Sequence, residues 1–188
     1  MRLLLAASLL ALTLPSVQAV PDSAMPERFT AFGVSLGGMV SPPATAQVEL
    51  SIERWSTADE LDTLLDALEN GQRSLVTSLR DLSSVGMIRT AQSLGYDLRY
   101  AHQQVEADGT RRIFLATDRP VGYWEMVNQR ASLGYPITVV ELTVDAKGRG
   151  EGALSVAARL TASSDRTRLY VSNYDVRPVM LKEVRRRD

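Results

Sequence analysis

Apolar and polar positions alternate with period two from Gln47 to Trp55, where Val48, Leu50 and Ile52 oppose Glu49, Ser51 and Glu53. Such a strand belongs to a sheet that is buried on one face and wet on the other. Phe29 to Gly38 reads as a strand before it, across a linker, Met39 to Ala46, that carries Pro42-Pro43. At Ser56-Thr57 the period changes to 3.6. Leu61, Leu64, Leu65 and Leu68 recur at helical spacing, and Thr57 with Glu60 forms a capping box. Asn70-Gly71 ends this helix, and Gln72 to about Leu82 presents Leu75, Val76, Leu79 and Leu82 on a second one. Residues 57–82 therefore read as a helical hairpin packed on one sheet face.

From Val85 onward the period returns to two. Strands are predicted over Gly86–Thr90, Gly95–Val105, Thr110–Thr117, Tyr135–Val144, Gly152–Leu160, Thr167–Asn173 and Arg177–Val184. Asp108-Gly109, Lys147 to Gly150 and Ser163-Ser164-Asp165 supply hairpin turn chemistry between them. Short connections require antiparallel pairing. The predicted fold class is α+β: a large antiparallel sheet, free to curl or close, with one two-helix hairpin packed on it. An internal echo accompanies the pattern. Ser93 to Tyr96 recurs as Ser132 to Tyr135, and at the same offset Val105, Ala107, Gly109 and Leu115 match Val144, Ala146, Gly148 and Leu154. Shared hairpin chemistry explains this more simply than a duplication with Tyr96 and Tyr135 at equivalent sites, since repeat arrays need three or more copies.

The N-terminus has a different pattern. Met1-Arg2, an apolar run from Leu3 to Leu14, Pro15 and the small residues Val17 and Ala19 compose a secretory signal peptide. The run is shorter than the roughly 20 residues that span a bilayer, and no later one matches it. Residues 1–19 are expected to be removed, residues 20–28 to form a flexible leader and residues 29–188 to fold as one domain in the periplasm or outside the cell.

Composition narrows the chemistry. A chain that is 45% hydrophobic has the apolar content of a packed core, and zero Cys excludes thiol catalysis, iron–sulfur clusters and lipid attachment to an N-terminal Cys. A formal net charge of −1 argues against bulk nucleic-acid binding. Lys182, Arg185, Arg186 and Arg187 form the one basic cluster. They read as a solvated C-terminal end, the alternative being contact with anionic lipid or cell-surface polymer.

Ser35 and His102, each with a nearby acid, are the candidates for catalysis. Ser35 lies in Gly33-Val34-Ser35-Leu36-Gly37, a nucleophile-elbow pattern, but the Gly- and Pro-rich sequence after it cannot start the helix that the elbow needs. His102, the single histidine, is the one side chain that titrates near neutrality unperturbed, and it shares a strand face with Leu98, Tyr100 and Gln104. Asp118 and Asp97 are acids within reach of a mechanism built on either. Thr117 to Pro120 followed by Tyr123 and Trp124 concentrates polar and aromatic side chains in a stretch without clear period, where binding residues tend to lie. Tyr96, Arg119, Tyr123, Trp124 and Tyr135 are accordingly the candidate binding residues. No metal or cofactor motif occurs.

Arg54 to Thr57 with Glu60-Leu61-Asp62, Ala116 to Pro120, Tyr135-Pro136, Glu141-Leu142 and Gly148 to Leu154 resemble a family of exported bacterial proteins of unknown function. That resemblance implies export and a single domain but transfers no site. The sequence reading is an exported, non-catalytic domain that binds a small molecule or an envelope protein. The alternative is a small hydrolase that uses Ser35 or His102 with a nearby carboxylate.

Overall fold

The structure, a computed structural model, describes residues 25–36, 44–91, 93–119, 137–156, 158–174 and 178–187. In chain order its elements are β1 (Glu27–Ser35), β2 (Ala44–Ile52), α1 (Ala58–Glu69), α2 (Gln72–Asp81), β3 (Gly86–Thr90), β4 (Tyr96–Leu98), β5 (Tyr100–Val105), β6 (Arg111–Thr117), β7 (Thr138–Val144), β8 (Arg149–Ser155), β9 (Ala158–Ala162), β10 (Leu169–Tyr174) and β11 (Val179–Arg187). No described helix is long and apolar enough to cross a membrane.

Nine strands form one sheet in the order β4-β3-β2-β1-β11-β8-β7-β6-β5, with every pair antiparallel. Its two end strands are separated in the chain by Arg99 alone. The β4–β5 run pairs with β3 through its first half and β6 through its second, and the Arg99 amide donates to the Ala116 carbonyl at 2.8 Å. The sheet therefore curls until it is nearly closed. Alternate side chains point inward, and Phe29, Leu50, Ile88, Leu98, Ile113, Leu142, Leu154 and Leu181, from eight strands, pack there as one buried cluster. Burying a large aliphatic side chain is worth about 1.5–3 kcal/mol, so this filled interior is the main source of cohesion in a chain without disulfides.

One end of the curled sheet, the base, gathers Glu27, Ile52, Gly86, Val105, Arg111, Val144 and Arg149. Inward-facing Arg111 would leave a buried guanidinium here, and Glu27 neutralises it in a bidentate pair at 2.9 and 3.0 Å. The Gln103 amide oxygen accepts from Arg111 Nε at 2.9 Å, and the guanidinium lies 5.9 Å from the centre of a Trp55 ring.

The helical hairpin forms as the sequence predicts. Thr57 Oγ1 accepts from the Glu60 amide, the Glu60 carboxylate accepts from the Thr57 amide, and Arg54 grips that carboxylate at 2.7 and 2.9 Å. The Arg54 hydrogen bond is the main reason that the Glu60 carboxyl is held below its ordinary value. Leu64, Leu65, Leu75 and Leu79 bury against Tyr100, Ala116 and Val139 on the outside of β5, β6 and β7, together with Ala158, Leu160 and Leu169 of the separate β9–β10 hairpin. Gln72, at the tip of the helical hairpin, accepts from the Leu160 amide and donates to the Leu160 carbonyl, so the two insertions are joined to each other.

Three expectations change. Gly152–Leu160 is not one strand: β8 ends at Ser155, and β9 leaves the main sheet with its Ala158 amide on the Ile137 carbonyl. Gly150, expected in a turn, lies within β8, because a Cβ there would sit 1.9 Å from the Thr143 carbonyl oxygen. Arg185 to Arg187 extend β11 between β1 and β8 instead of trailing into solvent. The echoed segments 105–110 and 144–149 close hairpins of the same design. In each, a glycine at positive φ (Gly109, Gly148) donates back three residues, and the residue after it bonds across the loop. Residues 132–135 lie outside the described residues.

Candidate functional site

Strand register places His102 opposite Phe114 and Phe114 opposite Glu141, so the three form a row across the outer face of β5, β6 and β7. The next row toward the base is Gln104, Arg112 and Thr143. The row on the other side, Tyr100, Ala116 and Val139, disappears beneath the helices. Phe114 packs edge-on against Tyr100, with ring centres 6.2 Å apart, and so links the buried row to the open one.

The loop between β9 and β10 folds back over these two rows as a roof. Ser163 and Arg168 close it with a backbone bond of 3.0 Å, and the Asp165 carboxylate accepts from the Ser163 and Thr167 hydroxyls and the Thr167 amide. Those hydrogen bonds, the Ser163 one first, push the Asp165 carboxyl down to about 2. Arg166 reaches the α1 carboxylates Asp66, at 2.7 Å, and Glu69, while Arg168 donates to Gln104 on the floor at 2.5 Å. Between roof and floor lies a cleft of about 470 Å³ lined by His102, Arg112, Phe114, Glu141, Arg168 and Tyr170 among others.

His102 is half-buried, and its pKa is lowered, first because burial disfavours the charged ring and second through repulsion by Arg168. At neutral pH it is an uncharged imidazole with one donor and one acceptor nitrogen. Glu141 is two strands away, which at about 4.8 Å per strand puts its backbone about 10 Å from that of His102. Among the described residues no hydroxyl or carboxylate hydrogen-bonds His102, and Arg112 is engaged by Glu106 at 3.1 Å. The cleft offers an aromatic floor, two guanidiniums at its edge and a neutral imidazole. Among the described residues there is no group of three His, Cys, Asp or Glu able to hold a metal ion.

The sequence-derived candidates do not converge. Ser35 ends β1, which pairs with β2 and β11 and with neither neighbour of His102. Asp118 follows β6 at the opposite end from Arg112. It is buried, with Arg80 at 3.3 Å, Arg99 at 3.6 Å and Arg119 at 3.8 Å, so it is an acid neutralised by arginines. Arg119 is consequently an exposed partner of Asp118. Asp97 pairs with Arg99 at 3.1 Å. Tyr96 is partly buried against the interior cluster, opposite Ile88. Tyr123, Trp124 and Tyr135 lie outside the described residues. Of the candidates among the described residues, only His102 lines the cleft. Its companions Phe114, Glu141, Arg112, Arg168 and Tyr170 are not among the candidate site residues that the sequence suggests. The alternation Tyr100, His102, Gln104 was the available signal, but the strands that supply the other residues emerge only from the pairing register.

No protein-family model, curated protein or solved structure matches the chain.

Proposed function

We propose that the protein is an exported, non-catalytic binding domain of the periplasm or extracellular space, and that its ligand occupies the cleft beneath the β9–β10 loop. The observation that carries this reading is the His102–Phe114–Glu141 row beneath its roof. It is a concave surface with one aromatic floor residue and convergent polar groups, which is the composition of small-ligand sites. The ligand class that fits is a small molecule with a planar or apolar body for Phe114 and an anionic group for Arg168. A neutral His102 then supplies a directional hydrogen bond without a second positive charge. The wide separation of Ser35, His102 and Asp118 speaks against the hydrolase reading. Export rests on the N-terminal segment and on the resemblance to exported bacterial proteins of unknown function.

Native mass spectrometry of the protein purified from its own host's envelope fraction tests the reading. A reproducible small mass carried by the wild type and lost by Arg168→Ala is expected. Bare protein in repeated wild-type preparations overturns it.

A further inference from the structure

The two insertions cover the outside of β5, β6 and β7, and no residue of β1, β2, β3, β8 or β11 belongs to the cluster they bury. On the bare side, register puts Arg149 opposite Arg185 and Arg187 opposite Arg28. All four side chains are exposed, and Arg186 at the same end is exposed as well. Like charges directly opposite each other in a sheet are destabilising, yet two such pairs stand here on adjacent strands.

The acids around them compensate the charge only in part, and Glu53 lines the same groove as Arg28 and Arg187. Glu183 bonds Arg185, Glu151 is taken by Lys182 and Glu49 by Arg89. The charge of Asp145 reaches Arg149, but its Oδ1 accepts from the Lys147 and Arg149 amides. Among the described residues Arg187 bonds the Thr30 hydroxyl alone, and neither Arg28 nor Arg186 has an ion pair. Further along the same face, opposite Lys182, Phe32 is 52% exposed, and Met180 is 38% exposed opposite Val34. A groove of about 470 Å³ runs past Arg28 and Arg187 toward Met87 and Arg89.

We propose that this face of β8, β11 and β1 docks on an anionic phospholipid surface, with the arginines at the phosphates and Phe32 and Met180 at the acyl boundary. Lipid phosphates relieve the repulsion between the paired guanidiniums, and the exposed apolar side chains give the face the two-part character of interfacial binders. Each basic side chain near an anionic leaflet strengthens partitioning about fivefold, and the effect falls away within a Debye length. The proposal is independent of the ligand cleft, which lies on the covered side.

Flotation with vesicles of phosphatidylcholine alone, or with about a third phosphatidylglycerol, tests it on the signal-cleaved protein. Wild type is expected to float with the anionic vesicles at low salt, and to be released by high salt. Arg187→Glu should weaken that binding at least about tenfold, whereas Arg73→Glu, the same charge change on exposed α2, should have a much smaller effect. Arg187→Glu also places an acid opposite Arg28, so its melting temperature should equal or exceed that of wild type, which separates lost docking from lost fold. Equal binding to both vesicle types, equal loss in the two variants, or capture by soluble polyphosphate with no flotation overturns the proposal.

Discussion

Removing one member of the Glu27–Arg111 pair should cost far more than removing both. The side chains are 2% and 10% exposed, and two parallel hydrogen bonds of 2.9 and 3.0 Å join them at the base of the curled sheet. Glu27→Leu strands a guanidinium in a nearly dry site with only the Gln103 oxygen and a Trp55 ring beside it. Arg111→Met removes the bidentate partner of a buried carboxylate. Loss of one partner of a buried pair costs about 3–5 kcal/mol, whereas replacing both by apolar groups of similar volume is often neutral or stabilising. Gln103 is only half-buried and can turn its amide to solvent in the double variant. Urea unfolding measures the difference. At a slope of about 2 kcal/mol/M each single variant should unfold about 2 M earlier than wild type, and the double variant should fall within about 1 kcal/mol of it. Single variants within about 1 kcal/mol of wild type would mean that water or the Gln103 amide already screens the pair. A double variant as unstable as the two singles combined would mean that shape, not charge, holds the base together.

The single histidine makes a second prediction easy to read. The ring-proton NMR titration of His102 should have its midpoint below 6.5, and Arg168→Gln should recover only part of the shift, because burial is the larger cause. A base with a depressed folded pKa binds more protons when unfolded, so its contribution to stability is present above about pH 6.5 and declines as pH falls through that value toward the folded midpoint. A midpoint at or above 6.5 would contradict the placement of His102 beside Arg168 under the roof. Gly150→Ala tests the close approach of β7 and β8: the new methyl would meet the Thr143 carbonyl at 1.9 Å, backbone that can yield only if the two strands part. Destabilisation of about 2 kcal/mol or more is expected in thermal or urea unfolding, against about 0.5–1 kcal/mol gained where a strand glycine is unconstrained. Wild-type stability would show that the strands separate freely there.

What could be read from sequence was what repeats locally. The alternation of Val48, Leu50 and Ile52 assigned the inner face of β2, and the capping box with Asn70-Gly71 bounded α1 to within a residue. The break between β8 and β9 was invisible, because apolar alternation persists through it while the hydrogen-bonding partner changes from β7 to β10. The basic cluster at 182–187 illustrates the same gap. Read along the chain, it is a charged end diluted by Glu183. Read across strands, Arg185 and Arg187 face Arg149 and Arg28, which are far away in sequence. His102 had a legible face but no legible companions, since Glu141 and Arg168 arrive only through register and through a hairpin that folds back.

The packed interior explains why the proposed ligand cleft sits on the outside of the sheet. Curled antiparallel sheets of this kind can hold a ligand inside only if inward side chains leave room, and here Leu, Ile, Val and Phe from eight strands meet in the middle, with the inward-facing Glu27 and Arg111 paired at the base. Space for a ligand therefore has to come from insertions laid on the exterior. The helical hairpin enters between β2 and β3, the β9–β10 hairpin between β8 and β11, and both fold over β5, β6 and β7, where Gln72 and Leu160 join them. The cleft is the space between the β9–β10 loop and the strands beneath it. Its floor is set by a hydrogen-bonded sheet, while its roof is tied down by the exposed ion pairs of Arg166, which salt weakens, and by the hydrogen bond from Arg168 to Gln104. If the proposed ligand is bound there, selectivity for its shape belongs to Phe114 and its row, and ionic strength should act on how readily the roof admits it.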